Sequence, residues 1–308
     1  MSSRKIILYI SYACVLASLV LALYFFLHKP QRPPSPVVED SKKAIIFKDV
    51  RYTGEKRGVV DWELTAKIAR KYIDQPFIEL EDLKGIYKPK EDVAIEFTGT
   101  KGSMDTEKES GSVENVEVLY KGEYTLKSST MNFDFKSGLT KTDAPVDITG
   151  KKLNMRGIGL LANTSEQTVK LLSDVAGIIT TEKAKYRFQS DTLTYYFEVT
   201  TYLLEGKVIM RGEDLNLVCD VLHIYSTNDE VERIEADGNV RVISKGTVAK
   251  SQKAVYHFKE GKIVFTQSPR VFKDNVEMKG ERVIYTTNDG KLSVERPKIR
   301  MEKGKEKP

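Results

Sequence analysis

At 308 residues the chain has room for two ordinary domains. Its net charge of +5 is spread along the sequence rather than gathered in a block, which argues against a nucleic-acid binder, since that needs a basic patch interleaved with stacking aromatics. The cysteines are Cys14 and Cys219, and as Cys14 lies in an apolar N-terminal run, an intrachain disulfide among exported residues is excluded and stability must come from packing.

From Ile6 to Leu27 the chain is uncharged and mostly apolar, and these 22 residues span about 33 Å as a helix, enough for a hydrocarbon core. A cleaved signal peptide competes with this reading, but the run is long for one and continues into His28, Lys29 and Pro30 with no Ala-x-Ala site. Residues 1–28 are therefore read as an uncleaved membrane anchor. The flanking charges, Arg4 and Lys5 against Lys29 and Arg32, do not fix its orientation. The simplest arrangement exports the long polar remainder from a single inner-membrane pass. Residues 29–43 hold four prolines among charges and read as an extended linker.

Beyond the linker the pattern has period two. Trp62, Leu64 and Ala66 alternate, as do Ile78 and Leu80, which suits strands; LTAKIARKYI also fits one short amphipathic helix. Units of two alternating apolar runs joined by a polar turn then begin at Met131, Leu160, Leu193, Leu222, Val255 and Val283. Their regular spacing is that of stacked supersecondary units, and the unit is a β-hairpin. Turns at 228–230, 259–261 and 288–290 carry Asn, Asp and Gly, which tolerate left-handed backbone.

DWELTAKIARKY, then FIELEDLKGIY, then the stretch from Tyr124 to Val175 with its Pro145-Val146 pair and Gly157-x-Gly159 step, resemble the LptC family of lipopolysaccharide export proteins. GKVIMRGEDLNLVCDVLHIY, IEADGNVRV and the run from Ala249 to Leu292 resemble the OstA-like domain of the LptA family. The resemblance implies an all-β protein of antiparallel β-jellyrolls, LptC-like over 44–182 and LptA-like over 183–308, whose inner groove holds acyl chains. It also implies partners: lipopolysaccharide, the membrane, Lpt-type ABC transporter permeases, and other OstA-like jellyrolls joined edge to edge. No cofactor or metal is implied.

Alternation selects the residues that would face such a groove. They are Trp62, Leu64, Met131, Phe133, Phe135 and Leu160 in the first half. In the second half they are Leu193, Tyr195, Phe197, Leu215, Leu217, Leu222, Ile224, Tyr256, Phe258, Ile263, Phe265, Val283 and Tyr285. A groove spares an acyl chain about 25 cal/mol per Å² of exposure to water, provided the protein's own side chains do not fill it. The same pattern describes a filled core, as in a tethered structural or adhesive β-repeat protein with no lipid ligand. The segments Ile45–Tyr52 and Lys291–Met301 are the expected sheet edges, open to strand addition.

Nothing in the sequence points to an enzyme. Nucleophile elbows and phosphate loops are absent, and Cys219, His223 and His257 form the one weak grouping. Cys219 and His223 would share a face on a regular strand, but two ligands and a neighbour make a poor zinc site.

Overall fold

The computed structural model describes residues 44–56, 59–90, 93–120, 122–134, 136–181, 184–213, 215–227, 230–274 and 276–301. The anchor from Ile6 to Leu27, the linker, Phe135 and the 182–183 junction lie outside them, and among the described residues no helix is long and apolar enough to cross a membrane.

The described residues hold 21 strands, all in one sheet. The first half contributes β1 (Ala44–Lys56), β2 (Val59–Tyr72), β3 (Phe77–Lys90), β4 (Val93–Asp105), β5 (Ser110–Tyr120), β6 (Tyr124–Asp134), β7 (Leu139–Thr149), β8 (Leu153–Asn163) and β9 (Thr168–Thr180). Then follow β10 (Lys185–Ser190), β11 (Thr192–Tyr196), β12 (Thr201–Arg211), β13 (Asn216–Thr227), β14 (Glu230–Ser244) and β15 (Thr247–His257). The last are β16 (Lys262–Thr266), β17 (Arg270–Lys273), β18 (Val276–Lys279), β19 (Arg282–Thr286), β20 (Leu292–Glu295) and β21 (Lys298–Met301). The LTAKIARKYI segment, which also fitted a helix, is strand β2. The turns at 258–261 and 287–290 use Gly261 at φ 62° and Gly290 at φ 70°.

Every pairing is antiparallel, and from β1 to β9 each strand pairs with the next. β10 and β11 together form the next rung, each bonded to β9 and to β12. The ladder therefore runs unbroken from the LptC-like into the LptA-like region, with Thr180 opposite Lys185 and Val175 opposite Ser190. Beyond β15 the rungs are again split: β16 continues to β19 and β20, and β17 to β18 and β21.

Most of the bulges share one cause. Asp49, Asp82, Asn115, Asp174, Lys207 and Asn239 have positive φ in mid-strand, as do Gly159, Gly206 and Gly238, and the pairing registers skip at these residues. Asp, Asn and Gly dominate because the left-handed region is cheapest for them. The skipped residues lie opposite one another from strand to strand, so the sheet has a continuous crease that bends each strand into two arms, as aligned bulges do. The strand breaks in two between β10 and β11 and again between β16 and β17.

A bulge also resets which face a residue takes. Buried residues flank the crease at a spacing of three or four, not two: Ala66 and Ala69, Leu80 and Leu83, Val113 and Val116, Leu171 and Val175, Leu204 and Val208, Cys219 and Leu222. Both arms thus turn their apolar sides inward. Cross-strand glycines let aromatic rings lie close: at Gly177 a Cβ would come within 2.5 Å of the Phe188 ring, and at Gly85 within 2.1 Å of Phe97.

Candidate functional site

Between the arms of the first half lies a cavity of about 1140 Å³, lined mainly by apolar side chains from β2 to β12. It exceeds the ~300–1,000 Å³ of sites that take drug-sized ligands, so a bulkier apolar guest fits better. Leu64, Met131, Phe133, Leu160, Tyr195 and Phe197 all line it. Phe97 and Phe133 approach across it with ring centroids 6.1 Å apart. Trp62 belongs to β2 opposite Tyr87.

One end is walled by aromatic rings. Phe197 meets Tyr120 at 5.2 Å and Tyr195 at 4.7 Å, both edge-on, and Tyr195 meets Tyr202 at 4.5 Å. Beyond this wall a second cavity of about 240 Å³ is lined by Leu193, Ile224, Phe258 and Phe188, with Lys152 and Lys259 also on its lining. Tyr124, Leu153 and Tyr202 line both cavities and form the partition between them.

The rest of the second half is packed. Leu215, Leu217, Tyr256, Phe258 and Ile263 surround a space of only about 20 Å³. Leu222, Phe265 and Val283 have no exposed surface. Tyr285 is buried too, and its hydroxyl donates to Ser244 Oγ at 3.0 Å, joining the two arms. Lys245 Nζ donates to the carbonyls of Thr287 at 2.8 Å and Asn288 at 3.1 Å across the same gap. The residues selected by alternation thus all face inward where their side chains are described, some onto open space and some into a filled core.

The Cys219, His223 and His257 grouping does not assemble. The register shift between Val218 and Val221 turns Cys219 into the core while His223 lies on the other face, stacked near Tyr225 and opposite Glu235. Burial pushes the Cys219 thiol up to about 12, which removes it as a nucleophile near neutral pH. No group of three metal-ligating side chains occurs among the described residues.

An all-β antiparallel sheet folded along a crease around an apolar cavity defines a jellyroll. The lipopolysaccharide-assembly, LptC-related family matches residues 13–181, more than half of the chain, and the chain belongs to that family. Residues 187–291 match the LptA/(LptD N-terminal domain) LPS transport protein family, so an LptC-type and an LptA-type region are fused in one polypeptide. The solved structure of LptH, the LptA homologous periplasmic component of the conserved lipopolysaccharide transport device from Pseudomonas aeruginosa, is 14% identical. It covers 38% of this chain and 95% of its own, with a TM-score of 0.36, a likeness too loose to argue from. No curated protein matches the chain.

Proposed function

We propose that this chain is a membrane-anchored periplasmic bridge that receives lipopolysaccharide from an Lpt-type ABC transporter in the inner membrane and passes it toward the outer membrane. The observation that carries the reading is the apolar cavity of about 1140 Å³ between the arms of the LptC-type region. Its walls offer acyl chains shelter from water at about 25 cal/mol per Å². The uncharged run from Ile6 to Leu27 supports the anchor, and the two matched families support the pathway. The chain works as a passive track, with the transporter's ATPase supplying the work.

Strand addition at the edges is part of the proposal. Among the described residues β1 is paired on one side only, with β2, and it carries Ile45, Ile46 and Phe47 exposed. β20 and β21 form the opposite edge, paired with β19 and β18. Either edge can template a further jellyroll strand.

Photocrosslinking in cells tests the groove, with a photoreactive residue at Phe133 and, separately, at Lys127, which is exposed on the outer face of β6. ATP-dependent adducts with lipopolysaccharide at position 133 and none at 127 are expected. Folded protein that gives none at 133 would return the chain to the filled-core, structural β-repeat reading, which the packing around Phe265 and Val283 favours for the second half.

A further inference from the structure

The outer face of the second half carries a feature that neither the groove nor the fold requires. Arg241 pairs directly with Lys250, Lys250 with Arg270, Arg270 with Lys279, and Lys279 with Lys298. Five cations thus stand opposite one another on five successive strands, β14, β15, β17, β18 and β21. At the spacing of neighbouring strands the row is roughly 19 Å long. All but the half-buried Lys279 are exposed.

Like charges directly opposite one another destabilise a sheet, so the row costs the fold something. Acidic neighbours relieve it at Lys279 alone. Glu277 is held by Lys279 at 3.2 Å and Glu281 by Arg296 at 2.8 Å, while Asp220, at the border, accepts from Asn239 at 2.8 Å. No ion pair among the described residues engages Arg241, Lys250, Arg270 or Lys298. Lys250 lies instead 5.8 Å from the ring of Phe272, itself 38% exposed beside the row.

We propose that this row is a docking surface for an anionic phospholipid membrane. Charge complementarity selects an anionic partner, and the form of the row selects among anionic partners. Specific protein interfaces centre on a packed apolar core depleted of lysine, whereas here three of the five row residues, Lys250, Lys279 and Lys298, are lysines. A line of evenly spaced cations beside a single exposed aromatic ring suits a surface of repeated phosphate headgroups, with Phe272 at the interfacial level. The row lies on the opposite side of the sheet from the cavity, so this docking is independent of whether the groove carries lipopolysaccharide.

The test is vesicle tethering by the full chain. The protein is reconstituted into phosphatidylcholine nanodiscs and mixed with labelled vesicles made of equal parts phosphatidylglycerol and phosphatidylcholine, or of phosphatidylcholine alone. Capture of the anionic vesicles only is expected, fading as salt rises through about 0.15 M. The double variant K250E/R270E should lower capture about tenfold or more, each cation near an anionic surface contributing several-fold. The substitutions leave like charges opposite one another at 250 and 270 but turn the contacts with Arg241 and Lys279 from repulsive to attractive, so the variant should melt no lower than the parent, which separates lost docking from lost folding. Unchanged capture by a folded K250E/R270E variant overturns the proposal, as does absence of capture by the parent at low salt. Equal capture of neutral vesicles does so too, and so does binding to an acidic protein in place of lipid. Crosslinking at Phe133 stays intact in the variant whichever way the tethering falls.

Discussion

The contrast between an open first half and a packed second half makes a quantitative claim about two phenylalanines. Phe265 on β16 has no exposed surface, so Phe265→Ala deletes a ring that is enclosed on every side and leaves a void between the arms. Such truncations cost about 3–5 kcal/mol. Phe133 on β6 is half-buried and borders the large cavity. Phe133→Ala enlarges a space that already exists and gives up only part of a ring's burial, for about 1 kcal/mol. At roughly 2–4 °C of melting temperature per kcal/mol for a domain of this size, F265A should fall by roughly 10 °C and F133A by about 3 °C. Differential scanning fluorimetry of the detergent-solubilised full chain reads both. Equal losses would refute the reasoning, because they would mean that the arms of the first half close onto Phe133 in solution and that no groove exists there.

Three further outcomes follow from the same geometry. Tyr202→Ala should open the partition between the two cavities and raise lipid crosslinking at Phe258 relative to Phe133 severalfold, with Tyr202→Trp lowering it; an unchanged ratio would show that lipid does not cross there. Cys219, with its thiol pushed up to about 12, should present about a thousandfold fewer thiolates than an ordinary cysteine and react with Ellman's reagent only after unfolding; rapid labelling of native protein at pH 8 would contradict its burial. Asp105, Asp134 and Asp289 close hairpin turns and are held below the usual carboxylate range, the first two chiefly by backbone N–H donors of Lys108 and Ser137 and the third chiefly by the side chain of Lys291. A carboxylate whose folded value is depressed stabilises the fold above its unfolded value, near pH 4, and that contribution is lost as pH falls through the folded value. The triple Asp→Asn variant should therefore melt with a flatter pH dependence below about pH 4 than the parent, and identical profiles would remove these turns as the cause.

Much of the fold was legible because burial on one face of a strand writes itself into alternate residues. Leu193 and Tyr195, or Ile263 and Phe265, announce their face without help from the rest of the chain. Alternation failed at the crease. Asp49, Asp82 and Asn115 stand 33 residues apart in the middle of strands, and each shifts the inward face by one position. On β13 the register shift between Val218 and Val221 separates Cys219 from His223, which strict alternation had put together. A lone Asp or Asn inside an apolar alternating run, recurring at the repeat length, was the signal available. Whether the interior was open could not be read from pattern, because Phe133 and Phe265 look alike until the distance between the arms is known. The cationic row was invisible for a related reason: Arg241, Lys250, Arg270, Lys279 and Lys298 are scattered in sequence and meet only through strand register.

The unbroken ladder from β9 into β10 and β11 turns an assembly problem into a covalent one. Two separate jellyrolls meeting at that point would bind and part according to their concentrations, and a bridge made of them would exist only for a fraction of the time. Here the second partner is always present, at the high effective concentration that a short tether confers, and dilution cannot remove it. The joint also has no free edge at which a foreign strand could compete. The stoichiometry of the two regions is fixed at one to one by synthesis, and among the described residues the unpaired strand edges that remain are those of β1 and of β20 and β21.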